Sequence, residues 1–92
     1  MTDTGRLLWT AGYRRLRLAV LDRDGWACQI QGPRCTRAAT EVDHIVARAD
    51  GGAVYDPANL RAACRACNGR LAAQRTNEAR YRDTVARYGT RL

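Results

Sequence analysis

The stretch Cys64-Arg65-Ala66-Cys67-Asn68 sets two thiols two residues apart and puts an amide directly behind the second. A C-x2-C step can place both sulfurs on one metal with little strain. Upstream, Cys28 and Cys35 form a looser pair, and the Gly32-Pro33 turn signal between them can bring their ends together. The gap between the two pairs is longer than a compact zinc ribbon needs, so it holds an inserted element. That insertion contains Val42-Asp43-His44-Ile45 and the single histidine of the chain. Four thiolates in this arrangement select zinc over magnesium or calcium, which makes Cys28, Cys35, Cys64 and Cys67 a candidate closed structural site. Two disulfides or buried free thiols are the competing readings.

Size points the same way. A chain of 92 residues is read as one domain, residues 1–92, with a modest core that commonly needs a staple. Sixteen basic residues stand against nine acidic ones, a net charge of +7. That excess favours a polyanionic partner, nucleic acid being the usual one. The plainer reading is a basic surface without a partner. Every basic residue is arginine. Arginine grips phosphate bidentately and stacks on bases, although GC-rich codon usage accounts for the bias equally well. Met1 to Gly5 is polar with no apolar stretch behind it, and nothing approaches the ~18 apolar residues of a membrane span. The expectation is a reducing, cytoplasmic location with no membrane partner, where thiols are ligands more often than disulfides.

Along the chain, residues 1–6 read as a frayed tail. A helix is expected over residues 10–24, with Tyr13, Leu16, Val20 and Leu21 on one stripe and Gly25 ending it. Arg14, Arg15 and Arg17 lie off that stripe, facing either solvent or phosphate. Residues 26–40 read as a loop or short hairpin. Glu41 to Val46 reads as a strand anchored by Val42 and Ile45. Asp50-Gly51-Gly52 is a turn, and Asp56 to Leu60 a single helical turn with Pro57 at an allowed early position. Cys64 to Cys67 is expected as a knuckle. A helix then follows over residues 68–88, with Leu71, Tyr81, Val85 and Tyr88 as apolar contacts and Gly89 as its end.

His44 is followed after fourteen residues by Asn59, and Asn59 after eight by Asn68. This order, with Asp43 before the histidine and cysteine pairs on either side, resembles the HNH endonuclease family. The resemblance is to its small phage and bacterial members with a four-cysteine zinc site. It rests on Cys28, Cys35, Asp43-His44-Ile45, Gly51-Gly52, Asn59-Leu60 and Cys64 to Asn68, over about residues 26–72. It implies a small α+β, ββα-metal domain, treble-clef-like and zinc-stapled, with helices flanking it. It implies that Asp43 and Asn68 hold one divalent ion, that His44 is the general base, and that Asn59 orients the His-bearing loop through backbone hydrogen bonds. The third motif letter is often His. Asn68 in its place shifts the metal preference towards Mg²⁺ or Mn²⁺. Many relatives have Lys where this chain has Leu71, and the adjacent Arg70 can substitute.

The chemistry asks for these residue types on its own account. Phosphodiester hydrolysis needs a deprotonated water in line with the leaving oxygen, and a neutral imidazole can take that proton near neutral pH. A divalent cation offsets the charge that develops on phosphate. Oxygen ligands such as the Asp43 carboxylate and the Asn68 amide suit Mg²⁺ or Mn²⁺. A lone histidine beside an apolar strand is usually structural; its spacing to Asn59 and Asn68 reverses that weight. Candidate phosphate contacts are Arg14, Arg15, Arg17, Arg48, Arg61, Arg65 and Arg70. None is an evident base reader, so weakly sequence-specific nicking or cleavage of DNA is expected. Small stand-alone members resemble phage nucleases that work beside packaging machinery, which makes packaging proteins a partner class and the host cytoplasm the place of action. The alternative reading is a zinc-stapled nucleic-acid-binding module without catalysis, which has no need of Asp43, His44 and Asn68 together.

Overall fold

A computed structural model describes residues 10–89; the tail expected over residues 1–6 lies outside them. Helix α1 spans Ala11–Arg23. The Thr10 hydroxyl caps it by accepting the Tyr13 amide at 3.1 Å. Asp24 closes it, and Gly25 follows at φ +66°, the left-handed region a post-helical glycine supplies. Tyr13, Val20 and Leu21 form its buried face.

Strand β1 (Glu41–His44) pairs antiparallel with β2 (Leu60–Ala63), with Asp43 opposite Arg61 and His44 opposite Leu60. A two-stranded ribbon is marginal alone, and here helices cover it. Side chains alternate along β1. Val42 packs on the cluster of Leu21, Ala39 and Ala62, and His44 meets Tyr13 of α1. Glu41 and Asp43 bond to Asn68 and Arg75 of the last helix. The strand is shorter than the expected 41–46. The chain turns outward after His44, leaving Ile45 46 % exposed rather than an apolar anchor.

Helix α2 spans Arg65–Tyr88 and begins three residues before the expected Asn68. Cys64 is its cap, with Sγ accepting the Cys67 amide at 3.3 Å, so the C-x2-C step is the first turn of the helix. Gly89 ends it at φ +83°. Cys67 is its only buried residue among those described. Tyr81 and Tyr88, expected as apolar contacts, are 55 % and 74 % exposed. The cause is length. At 1.5 Å per residue the helix runs roughly 36 Å, and its last turns extend past the ribbon.

Among the described residues the core contains two small clusters. One is Leu21, Ala39 and Ala62; the other is Cys28, Cys64 and Cys67 with Ile30 and Cys35. Cys28, Cys64 and Cys67 thus form one of the two clusters, beside a core that also buries Tyr13, Val20, Leu60 and Ala63. Among the described residues no helix is long and apolar enough to cross a membrane.

Candidate active site

The cysteine centre is built by two short turns. Cys35 donates its amide to Gly32 O at 3.2 Å, and Cys28 donates to Arg37 O at 2.7 Å, folding the first pair into a tight loop. Cys64 and Cys67 arrive from the start of α2. The four Sγ atoms lie within 4.8 Å of one another, all four are free thiols, and Cys35 Sγ is 3.9 Å from Cys64 Sγ. A tetrahedral ion at Zn–S distances of about 2.3 Å would set sulfurs about 3.8 Å apart. The cluster therefore has the spacing to hold a metal ion, and it is too open for a disulfide, whose sulfurs sit about 2 Å apart.

The thiols differ in acidity. Amide donation from Cys67, then from Thr36, holds Cys64 well below the ordinary thiol value, at about 5. Burial pushes Cys67 up to about 12, and the neighbouring thiols add to that. One charged sulfur beside a neutral one is what like charges in a buried cluster dictate. A divalent ion removes the conflict, because it lets all four ionise.

A separate cleft of about 540 Å³ is lined by Asp43, His44 and Asn68, together with Tyr13, Val42, Ala47, Arg48, Ala49 and Arg75. Asp43 is 2 % exposed, and both of its oxygens are bonded. Arg61 Nε donates to Oδ2 at 3.0 Å, and Arg75 Nη1 donates to Oδ1 at 3.4 Å. Asn68 donates Nδ2 to Glu41 Oε1 at 2.7 Å, which leaves its Oδ1 as the acceptor. Asp43 on β1 and Asn68 on α2 thus bring two oxygen donors to one cleft, a set suited to a hard divalent ion. A hollow of about 630 Å³ beside Cys28 and Cys35 has no carboxylate and no imidazole in its lining, so it offers neither.

His44 is held on two sides. Its ring lies parallel to that of Tyr13 at 5°, with centroids 6.4 Å apart. Its Nε2 lies 3.1 Å from the carbonyl oxygen of Val54. That carbonyl belongs to the loop between β1 and β2, and Asn59 shapes this loop. The Asn59 side chain accepts from Val46 N at 2.8 Å and donates to Val46 O at 3.1 Å and Ala53 O at 2.9 Å. Its backbone oxygen accepts from Ile45 N at 2.9 Å.

The arginines named from sequence divide into three groups. Arg61 is spent on Asp43, and Arg17 donates to Thr40 O, so both work inside the fold. Arg48 lines the cleft. Arg14, Arg15, Arg65 and Arg70 are exposed, the last packing over Gly32. Two cleft residues were missed, Arg75 and, as more than a core contact, Tyr13, and so was Glu41, which holds the Asn68 amide. Arg75 was discoverable. It follows Asn68 by seven residues, two helical turns along the same face.

Comparison with known proteins bears on this arrangement. Residues 27–74 match the model of the HNH endonuclease family. Tyr13 and Arg75 both lie outside that stretch. The chain is 44 % identical over 79 residues to the Gene 4 protein of Mycobacterium phage L5, covering 86 % of this chain and 72 % of that protein. It is 42 % identical to the Gene 4 protein of Mycobacterium phage D29 over the same shares. Among solved structures it is similar to the HNH endonuclease of the deep-sea thermophilic bacteriophage GVE2, crystallised with manganese, at a TM-score of 0.64 and 29 % identity over 83 % of this chain and 85 % of that one. With its cysteine cluster and its Asp-His-Asn cleft joined at the start of one helix, the chain belongs to the HNH endonuclease family.

Proposed function

We propose that this nuclease hydrolyses DNA phosphodiester bonds with His44 as general base, Asp43 and Asn68 as ligands of one Mg²⁺ or Mn²⁺, and zinc in the four-cysteine centre. The whole chain, residues 1–92, is taken as one nuclease domain. The observation that carries the reading is the contact of the His44 ring with a backbone carbonyl. A carbonyl only accepts, so Nε2, 3.1 Å from Val54 O, holds the ring proton and Nδ1 keeps its lone pair. Nδ1 is then the atom that takes the proton of the attacking water. The stack on Tyr13 and the Asn59-braced loop fix the ring on both sides, so little orientation is lost at the moment of reaction.

A divalent ion between Asp43 and Asn68 would supply charge to offset that developing on the phosphate and the departing oxygen. The manganese in the GVE2 enzyme supports that choice of ion. Arg14, Arg15, Arg48, Arg65 and Arg70 hold the DNA backbone, which makes binding salt-dependent and weakly sequence-specific. The phage origin of both relatives and of the structural neighbour supports a phage enzyme acting in the host cytoplasm.

The test is nicking of supercoiled plasmid with Mg²⁺ or Mn²⁺. His44→Ala should lose a factor of about 10² to 10⁴ in rate with its far-UV circular dichroism unchanged. Equal rates from two folded proteins would remove His44 from the chemistry.

A further inference from the structure

Asp43 is the most heavily engaged carboxylate of the cleft, and its two partners are not equivalent. Arg61 is its register partner across the sheet, and Nε meets Oδ2 at 3.0 Å. Arg75 reaches in from α2. Its Nη1 is 3.4 Å from Oδ1, at the far limit of a hydrogen bond, while its Nη2 donates to His44 O at 3.2 Å. Its side chain is 35 % exposed, against 2 % for Asp43. Arg75 therefore has room to move, and its hold on the carboxylate is the weaker one.

We propose that Arg75 competes with the divalent ion for Oδ1 of Asp43 and, once displaced, contacts a phosphate of the DNA strand in the cleft. The proposal rests on reading Asp43 as a metal ligand. Its physical basis is charge. A divalent ion and a guanidinium at one oxygen repel each other, and the partner with the longer bond gives way. Arg61 stays, because the sheet holds it. Arg75 keeps its place beside His44 O, so its freed Nη1 remains inside the cleft. A planar guanidinium with several donors suits a phosphate as well as a carboxylate. The metal's arrival and the grip on substrate are in this way coupled through one side chain.

The experiment is calorimetric titration of Mn²⁺ into protein whose cysteine centre is filled with zinc, for wild type, Asp43→Asn, Arg75→Gln and Arg75→Lys. Plasmid cleavage at saturating Mn²⁺ runs alongside. Asp43→Asn should abolish binding at the cleft. Arg75→Gln should bind Mn²⁺ about tenfold more tightly, roughly the worth of one charge-assisted hydrogen bond, yet cleave with a kcat/KM about tenfold lower. Arg75→Lys keeps the charge without the fork. It should restore part of the cleavage, and it is the variant to read if the glutamine protein does not fold. A strut that merely supports Asp43 would move both quantities downward together. Unchanged or weaker Mn²⁺ affinity in Arg75→Gln, or cleavage untouched by it, overturns the proposal. Mn²⁺ binding that does not need Asp43 instead overturns the ligand assignment, and the proposal falls with it.

Discussion

At the scale of single residues, one glycine decides whether the loop behind His44 can close. A Cβ at Gly52 would stand 1.8 Å from Val46 O, a backbone atom held by Asn59. Gly52→Ala should cost about 2 kcal/mol or more. It should also slow cleavage, because Val54 O is carried on the same loop. Thermal denaturation and the visible spectrum of the Co²⁺-substituted cysteine centre check this: the midpoint falls while the thiolate bands stay. A variant as stable and active as wild type would show that the loop has another way to close. Asp43, His44, Asn59 and Asn68 were legible because a motif is a matter of spacing along the chain. Arg61 was legible only as positive charge, and Arg75 only as a residue on the Asn68 face of the helix. Their pairing with Asp43 joins segments far apart in sequence, and the spacing along the chain does not record that contact.

Among elements, α1 is buckled to β2 by two adjacent side chains. Asp24 accepts from Ala62 N at 2.8 Å and from Arg23, while Arg23 donates to Leu60 O at 2.7 Å and Pro57 O at 2.9 Å. The Arg23 guanidinium, with help from the Ala62 amide, holds the Asp24 carboxyl below its ordinary range. A depressed value means that its contribution is complete above the unfolded carboxylate pKa of about 4 and is lost only as pH falls through the folded value. Asp24→Ala should therefore lower stability by about 2 kcal/mol, by the same amount from about pH 6 to 8. Denaturant titrations at those two limits measure it; a difference that grows or shrinks between them contradicts the assignment. The helix over residues 10–24 and its end at Gly25 were readable from capping and periodicity. Strand β2 was not. Leu60-Arg61-Ala62-Ala63 has little strand propensity and is held extended by its pairing with β1 and by the burial of Ala62 and Ala63. The aromatic residues of α2 misled for a related reason: an apolar stripe predicts a buried face only where a partner element reaches it.

For the molecule as a whole, the interior is too small to stand without its thiol cluster. Among the described residues, three of the six largest fully buried side chains are cysteines. Trp26, Gln31, Arg34 and Arg37 in the first loop all take positive φ without being glycine, at roughly 1 kcal/mol or more each. A bound ion at this centre is worth on the order of 10 kcal/mol of folding free energy. Chelation or Cys67→Ser should therefore abolish the cooperative thermal transition. Apparent zinc affinity should fall as pH falls, because the thiols must ionise to bind. A chelated chain that still melts cooperatively would contradict the first, and a zinc affinity flat with pH the second. Cys67 of the thiolate cluster and Asn68 of the cleft are neighbours in sequence, joined by one peptide unit with their Cα atoms about 3.8 Å apart. The offset between the thiol cluster and the α2 side of the cleft is thus a covalent ruler that core packing does not set. Substitutions along the rest of the helix leave that spacing unchanged, whereas the distance from Asn68 to Asp43 and His44 depends on how β1 packs against the helix.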